Sequence, residues 1–143
     1  MKRLAMPLAL ALTLPALGSL SAQPGKEDAK NIQGTWDQVA YEKDGNKTAT
    51  PNELKLKIGP DMIEPVGKDL VPFRYKISVV KGQGALDVVP TKGVQEGQTI
   101  KGLYELKGDE LKICLGTVPG VERPKEFTSK DGYAILYLKR EKP

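Results

Sequence analysis

From residue 35 to residue 140 the chain alternates apolar and polar positions in short runs that stop at Gly, Pro, Asp or Asn. Side chains of a β-strand point to opposite faces in turn, so a period-two run is a half-buried strand. The clearest run places Phe73, Tyr75, Ile77 and Val79 against Arg74, Lys76 and Ser78. Leu54, Leu56 and Ile58 alternate with Lys55 and Lys57, and residues 62–66 form a weaker strand after the turn Gly59-Pro60-Asp61. Leu86 and Val88 carry a short strand between the Gly82-Gln83-Gly84 turn and Pro90. Ile100, Gly102, Tyr104 and Leu106 share one face, and Leu111, Ile113 and Leu115 return on the core parity after a tight turn at 107–110. The first run, 35–42, ends in Asp44-Gly45 turn chemistry, and the last, 133–140, keeps Ala134, Leu136, Leu138 and Arg140 on one parity.

These are eight strands in sequential, hairpin-like order, an all-β pattern. Eight antiparallel strands can close on themselves and remove both exposed edges, which predicts a single antiparallel barrel; an open sandwich of the same strands is the other arrangement. Thr50-Pro51-Asn52-Glu53 has the form of a capping box, with Pro51 at the first helical position. It predicts one short helical turn near residues 50–54.

The N-terminus follows a different pattern. Lys2 and Arg3 precede an apolar run over 4–17, then small residues over 18–22, then a polar segment from Gln23. That order is a secretory signal peptide, with cleavage expected after Ala22, or after Ser21. The apolar run is shorter than the roughly 20 residues a membrane span needs, and Pro7 and Pro15 interrupt it. The expected organisation is a signal peptide over 1–22, a flexible lead-in over 23–31 and one barrel domain over 32–143, exported to the periplasm, the cell envelope or the medium, with no membrane span once the signal is removed.

Loss of Lys2 and Arg3 lowers the formal charge from +4 to +2, so the basic balance belongs largely to the signal. No Lys/Arg cluster interleaved with aromatics appears, which argues against a nucleic-acid partner. The chain has no histidine, which removes Ser-His-Asp and Cys-His catalysis and imidazole ligation of zinc. Cys114 is the only cysteine, so no intramolecular disulfide can form; it reads as a small, partly buried hydrophobe. Asp109-Glu110 falls in a hairpin turn, Asp61 and Glu64 stand apart, and no calcium-loop pattern occurs. Asn46-Lys47-Thr48 matches a glycosylation acceptor only as a short pattern in a turn. The expectation is a protein that is not an enzyme and takes neither metal nor cofactor.

Ile32-Gln33-Gly34-Thr35-Trp36 holds the only tryptophan, and Arg140 has inward parity on the last run. A guanidinium stacked on an indole is worth ~0.5–2 kcal/mol. Gly34, Trp36 and Arg140 are therefore expected to pin one closed end of the barrel. On these residues the chain resembles lipocalin and fatty-acid-binding barrels. With Glu53-Leu54-Lys55, the segments 102–106, 108–114 and 122–127, and Leu138-Lys139-Arg140-Glu141, it is similar over 32–141 to an uncharacterised lipocalin-like domain of planctomycete bacteria. The resemblance implies a signal peptide, a small lipocalin-like barrel and no established activity. The chain departs from true lipocalins at 116–132, where Pro119, Gly120 and Pro124 leave no room for a long helix. The connection after the first strand is also too short for the two-helix lid of fatty-acid-binding proteins.

Two functional readings stand at this level. In one, Phe73, Tyr75 and Tyr104 line a cavity for a small, partly apolar molecule, with the phenol hydroxyls as its few polar groups. In the other, the barrel is filled and serves as an interaction or envelope-structural module. Its long loop then meets an envelope protein through Arg123 and Phe127, or Phe127 plugs a barrel end while Arg123 pairs with a carboxylate.

Overall fold

The computed structural model describes residues 25–50, 54–67 and 69–142. One short helix, α1 (Lys26–Asn31), precedes nine strands: β1 (Gly34–Lys43), β2 (Asn46–Ala49), β3 (Lys55–Ile58), β4 (Met62–Val66), β5 (Phe73–Val80), β6 (Gln83–Pro90), β7 (Ile100–Lys107), β8 (Glu110–Gly116) and β9 (Tyr133–Arg140). Each pairing is antiparallel between neighbours, and β9 pairs back onto β1. The result is a closed barrel of eight strands, all but β2. Two further pairings share one edge of β1: β3 takes Gly34 to Asp37, and β2 takes Ala40 to Lys43.

The inward parity is the one the alternation predicts. Leu56 and Ile58, Tyr75, Leu86 and Val88, Tyr104, Leu111 and Ile113, and Leu138 form one buried cluster with Ile32 and Trp36. On β1 the register slips between Gln38 and Ala40. This bulge leaves Val39 without a partner on β9 and exchanges the faces. Trp36 and Gln38 point in before it; Ala40 and Glu42 lie on the outer face after it, beside Tyr137.

Three local features differ from the sequence reading. The run after Asp44-Gly45 is a strand, β2, because Asp44 (φ 52°) and Gly45 (φ 81°) make the positive-φ pair of a tight hairpin. β5 runs on to Val80 and β6 begins at Gln83, so Lys81-Gly82 is the turn there. The lead-in is helical rather than a tether over Lys26–Asn31, with Glu27 and Asp28 in the first turn and Lys30 in the last. Its end delivers Ile32, fully buried, into the core. Residues 51–53 of the expected helical turn, and the signal over 1–22, lie outside the described residues. No helix among the described residues is long and apolar enough to cross a membrane.

One seam of the barrel is short. β4 and β5 pair only through Met62 with Arg74 and Ile63 with Phe73. Asp61 O accepts from Tyr75 N on the β5 side, whereas Met62 O accepts from Gly59 N on the β3 side. The alternation therefore turns Pro65 toward β5, where it has no N–H to extend the ladder. The segment following β4 crosses this gap.

Candidate functional site

The barrel has one closed end and one open one. At the closed end the Arg140 guanidinium lies 4.3 Å from the centre of the Trp36 ring. Its Nη1 and Nη2 donate to Gln33 O (2.9 Å) and Asn31 O (2.6 Å), and Nε to Asp109 Oδ1 (3.3 Å). Trp36 Nε1 donates to Ile32 O at 2.8 Å. The pair thus ties β1 and β9 to the carbonyls that end α1. Gly34 makes this approach possible: its φ is +134°, and a Cβ there would stand 2.8 Å from Arg140 Nη1. Tyr104 adds a second tie, its hydroxyl donating to Asp28 Oδ2 of α1 at 2.8 Å. Burial, and then this bond to a carboxylate, push the Tyr104 phenol far above its usual range.

Above this floor the interior is not filled. A cavity of about 310 Å³ occupies it. Each of the eight barrel strands sends at least one side chain to its wall, from Gln38 on β1 to Leu136 on β9. Leu70 and Val71, in the segment that crosses the short seam, complete the wall. Leu70 is 42 % exposed, so the cavity meets solvent there. The lining side chains among the described residues are apolar with one exception, Gln38.

Gln38 is 5 % exposed. Its backbone N–H donates to Leu54 O at 2.9 Å. Its side-chain Nε2 makes a long bond to Thr50 Oγ1, 3.4 Å, and its Oε1 is buried with no hydrogen-bond partner among the described residues. The sequence reading did not single this residue out. The signal was present, since a polar residue stands on the inward parity of the first strand two positions after Trp36.

Of the three residues expected to line a cavity, Phe73 is on the wall. Tyr75 and Tyr104 belong to the same buried cluster, but their hydroxyls are engaged elsewhere: Tyr75 donates to Gly59 O at 2.5 Å, and Tyr104 to Asp28. The polar group of the cavity is an amide, not a phenol.

Arg123 and Phe127 lie at neither end. The segment 117–132 packs on the outside of β7, β8 and β9, where Leu103, Cys114 and Ile135 form a second small core with Phe127, Tyr133 and Tyr137 against it. Arg123 Nη1 donates to Gly102 O (2.9 Å) and stands 2.8 Å from Asp87 Oδ1 in an ion pair. Phe127 carries Lys112 Nζ 4.9 Å from its ring centre. The Cys114 thiol is fully buried, donates to Thr128 O at 3.3 Å, and is pushed up by that burial, away from thiolate reactivity. Among the described residues no group of His, Cys, Asp or Glu is placed to hold a metal ion.

Glu42 clasps this outer layer. Its two carboxylate oxygens accept from Tyr137 and Ser129, each at 2.7 Å, while Ser129 Oγ accepts from Gly45 N at 2.9 Å. The Tyr137 hydroxyl first, and Ser129 second, hold the Glu42 carboxyl below its ordinary 4.5. A lowered folded-state pKa contributes stability above about pH 4.5 that is lost as pH falls through the folded value. Urea unfolding from about pH 6 to about pH 3 should therefore show falling stability in this window, and Glu42→Gln should flatten that part of the curve. An unchanged slope in the variant would remove Glu42 from the account.

Comparison with protein-family models, curated proteins and solved structures gave no match.

Proposed function

We propose that this chain is an exported, lipocalin-like binding module, not an enzyme, that takes a small, largely apolar molecule into the barrel. The observation that carries the reading is the apolar cavity of about 310 Å³, lined from all eight barrel strands and open beside Leu70. Pockets for small ligands run from roughly 300 to 1,000 Å³, mostly apolar with few polar groups. This one lies at the small end and suits a compact or single-chain molecule. Membership of the planctomycete lipocalin-like family, and export directed by residues 1–22, belong to the same proposal; they rest on the motifs around Trp36 and Arg140 and on the three-part leader. The alternative, an interaction module acting through Arg123 and Phe127, has less support, because both side chains are engaged within the chain.

The test is to produce the full chain with its own leader, purify it from an exporting host, and record native mass spectra beside titration with the apolar fluorophore N-phenylnaphthylamine. A bound small molecule, or saturable fluorophore binding at one site per chain, is the expected result. A bare mass together with no fluorophore binding would sink the reading.

A further inference from the structure

We propose that the ligand is a single-chain amphiphile held tail first, its hydrocarbon in the chamber and its polar head outside at the Leu70 opening; this rests on the binding reading above and specifies the ligand's form and direction. The wall has a deep part and a shallow part. On β8, Asp109 and Glu110 stand beside Arg140 and Lys139 at the closed end, so Ile113 is the deeper wall residue and Leu115 the shallower. On β6 the pairing of Gly84 with Tyr104 places Leu86 deeper than Val88 in the same way. Leu86 and Ile113 are fully buried, Leu115 is half-buried, and Leu70 is exposed.

A hydroxyl, amide or charge carried to the depth of Leu86 gives up its water and needs a partner there. The wall has none to give. No Lys, Arg, Asp or Glu side chain lines the cavity among the described residues. Gln38, the polar residue of the wall, turns its Nε2 to Thr50 Oγ1, and its Oε1 is closed off from accessible space. The two phenols nearby donate to Gly59 O and Asp28 Oδ2. Arg140 is occupied by Trp36, two backbone carbonyls and Asp109. The chamber therefore accepts hydrocarbon and rejects a head, whatever its charge. At Leu70 water reaches the wall, and a head left there keeps its hydration. A volume of about 310 Å³ is at the lower limit for ligand pockets and suits one chain rather than a two-chain lipid.

The experiment is displacement of N-phenylnaphthylamine from the full chain in two comparisons. The first sets n-octanol against 1,8-octanediol on the unaltered chain. The diol should compete about tenfold more weakly or worse, because its far hydroxyl must enter the chamber without a partner. The second sets octanoate against octyltrimethylammonium at neutral pH on the unaltered chain, Leu70→Lys and Leu70→Glu. The octanoate-to-ammonium affinity ratio should rise about threefold in Leu70→Lys and fall about threefold in Leu70→Glu, the size of one exposed charge pair. A diol within about threefold of octanol, or a ratio that the two variants do not move in opposite directions, overturns the tail-first assignment and leaves the binding module standing. Absence of fluorophore binding to the unaltered chain overturns the module itself. Leu70 is exposed, so a charge there does not enter the core, and the octanol and diol comparison needs no variant to fold.

Discussion

Trp36→Ala is expected to lower stability by about 3–5 kcal/mol, the usual range for truncating a fully buried tryptophan. The indole is 0 % exposed and is the largest residue of the main buried cluster. Its removal opens a void, strands the Ile32 carbonyl that accepts from Nε1, and takes away the ring beneath Arg140. Since small domains have roughly 5–15 kcal/mol in all, the variant should stay folded only marginally. Its Tm should fall by about 10–20 °C for a domain of this length. The measurement is thermal unfolding followed by far-UV circular dichroism, because the variant has no tryptophan left to fluoresce. A fall of less than about 1 kcal/mol would show that α1, Tyr104 and Arg140 close this end without the indole.

Leu115→Trp is expected to lose roughly tenfold or more in affinity for N-phenylnaphthylamine while the barrel persists. Leu115 stands on β8, on the cavity wall and near the open end, and is only half-buried. Enlarging a side chain in a packed core strains it by typically 1–3 kcal/mol, but here the added ring has empty space to enter. A cavity already at the lower limit for ligands would drop below it. Unchanged affinity would place the fluorophore, and by extension the ligand, outside the barrel. The two variants separate the halves of the molecule, since Trp36 bears on the scaffold and Leu115 on the chamber.

The chain and the fold disagree in ways that have physical causes. Strand existence and inward parity were legible at Phe73, Tyr75, Leu86 and Leu138 because they depend on local alternation. The strand Asn46–Ala49 was missed because its side chains are all exposed, so it has no apolar alternation to read; only the Asp44-Gly45 hairpin turn marked it. Helix α1 was read as a flexible lead-in because Lys26–Asn31 is polar apart from Ala29, and a helix so short is not stable by itself. Contacts distant in sequence hold it: Tyr104 to Asp28, and Arg140 to Asn31 O. Arg123 does pair with a carboxylate, that of Asp87, but Phe127 was expected to plug a barrel end, whereas it lies on the outside. The odd-numbered parity of Leu103 and the even-numbered parity of Cys114 leave a second apolar face there, which the following segment covers.

The sequence by itself determined the barrel's order of strands, the face that β3 and β5 to β9 turn inward, and the Gly34, Trp36 and Arg140 positions that meet at the closed end, because alternation, turn chemistry and residue type act over a few residues. Only the tertiary structure decided that the chamber is not filled and that its polar group is Gln38 rather than a tyrosine. Whether a barrel is filled depends on how side chains from all eight strands sum in one volume, and on where a bulge at Val39 and a proline at position 65 loosen the ladder. Whether a hydroxyl is free depends on what folds back to meet it: Gly59 O and Asp28 took the two phenols, and the described structure brings nothing to Gln38 Oε1.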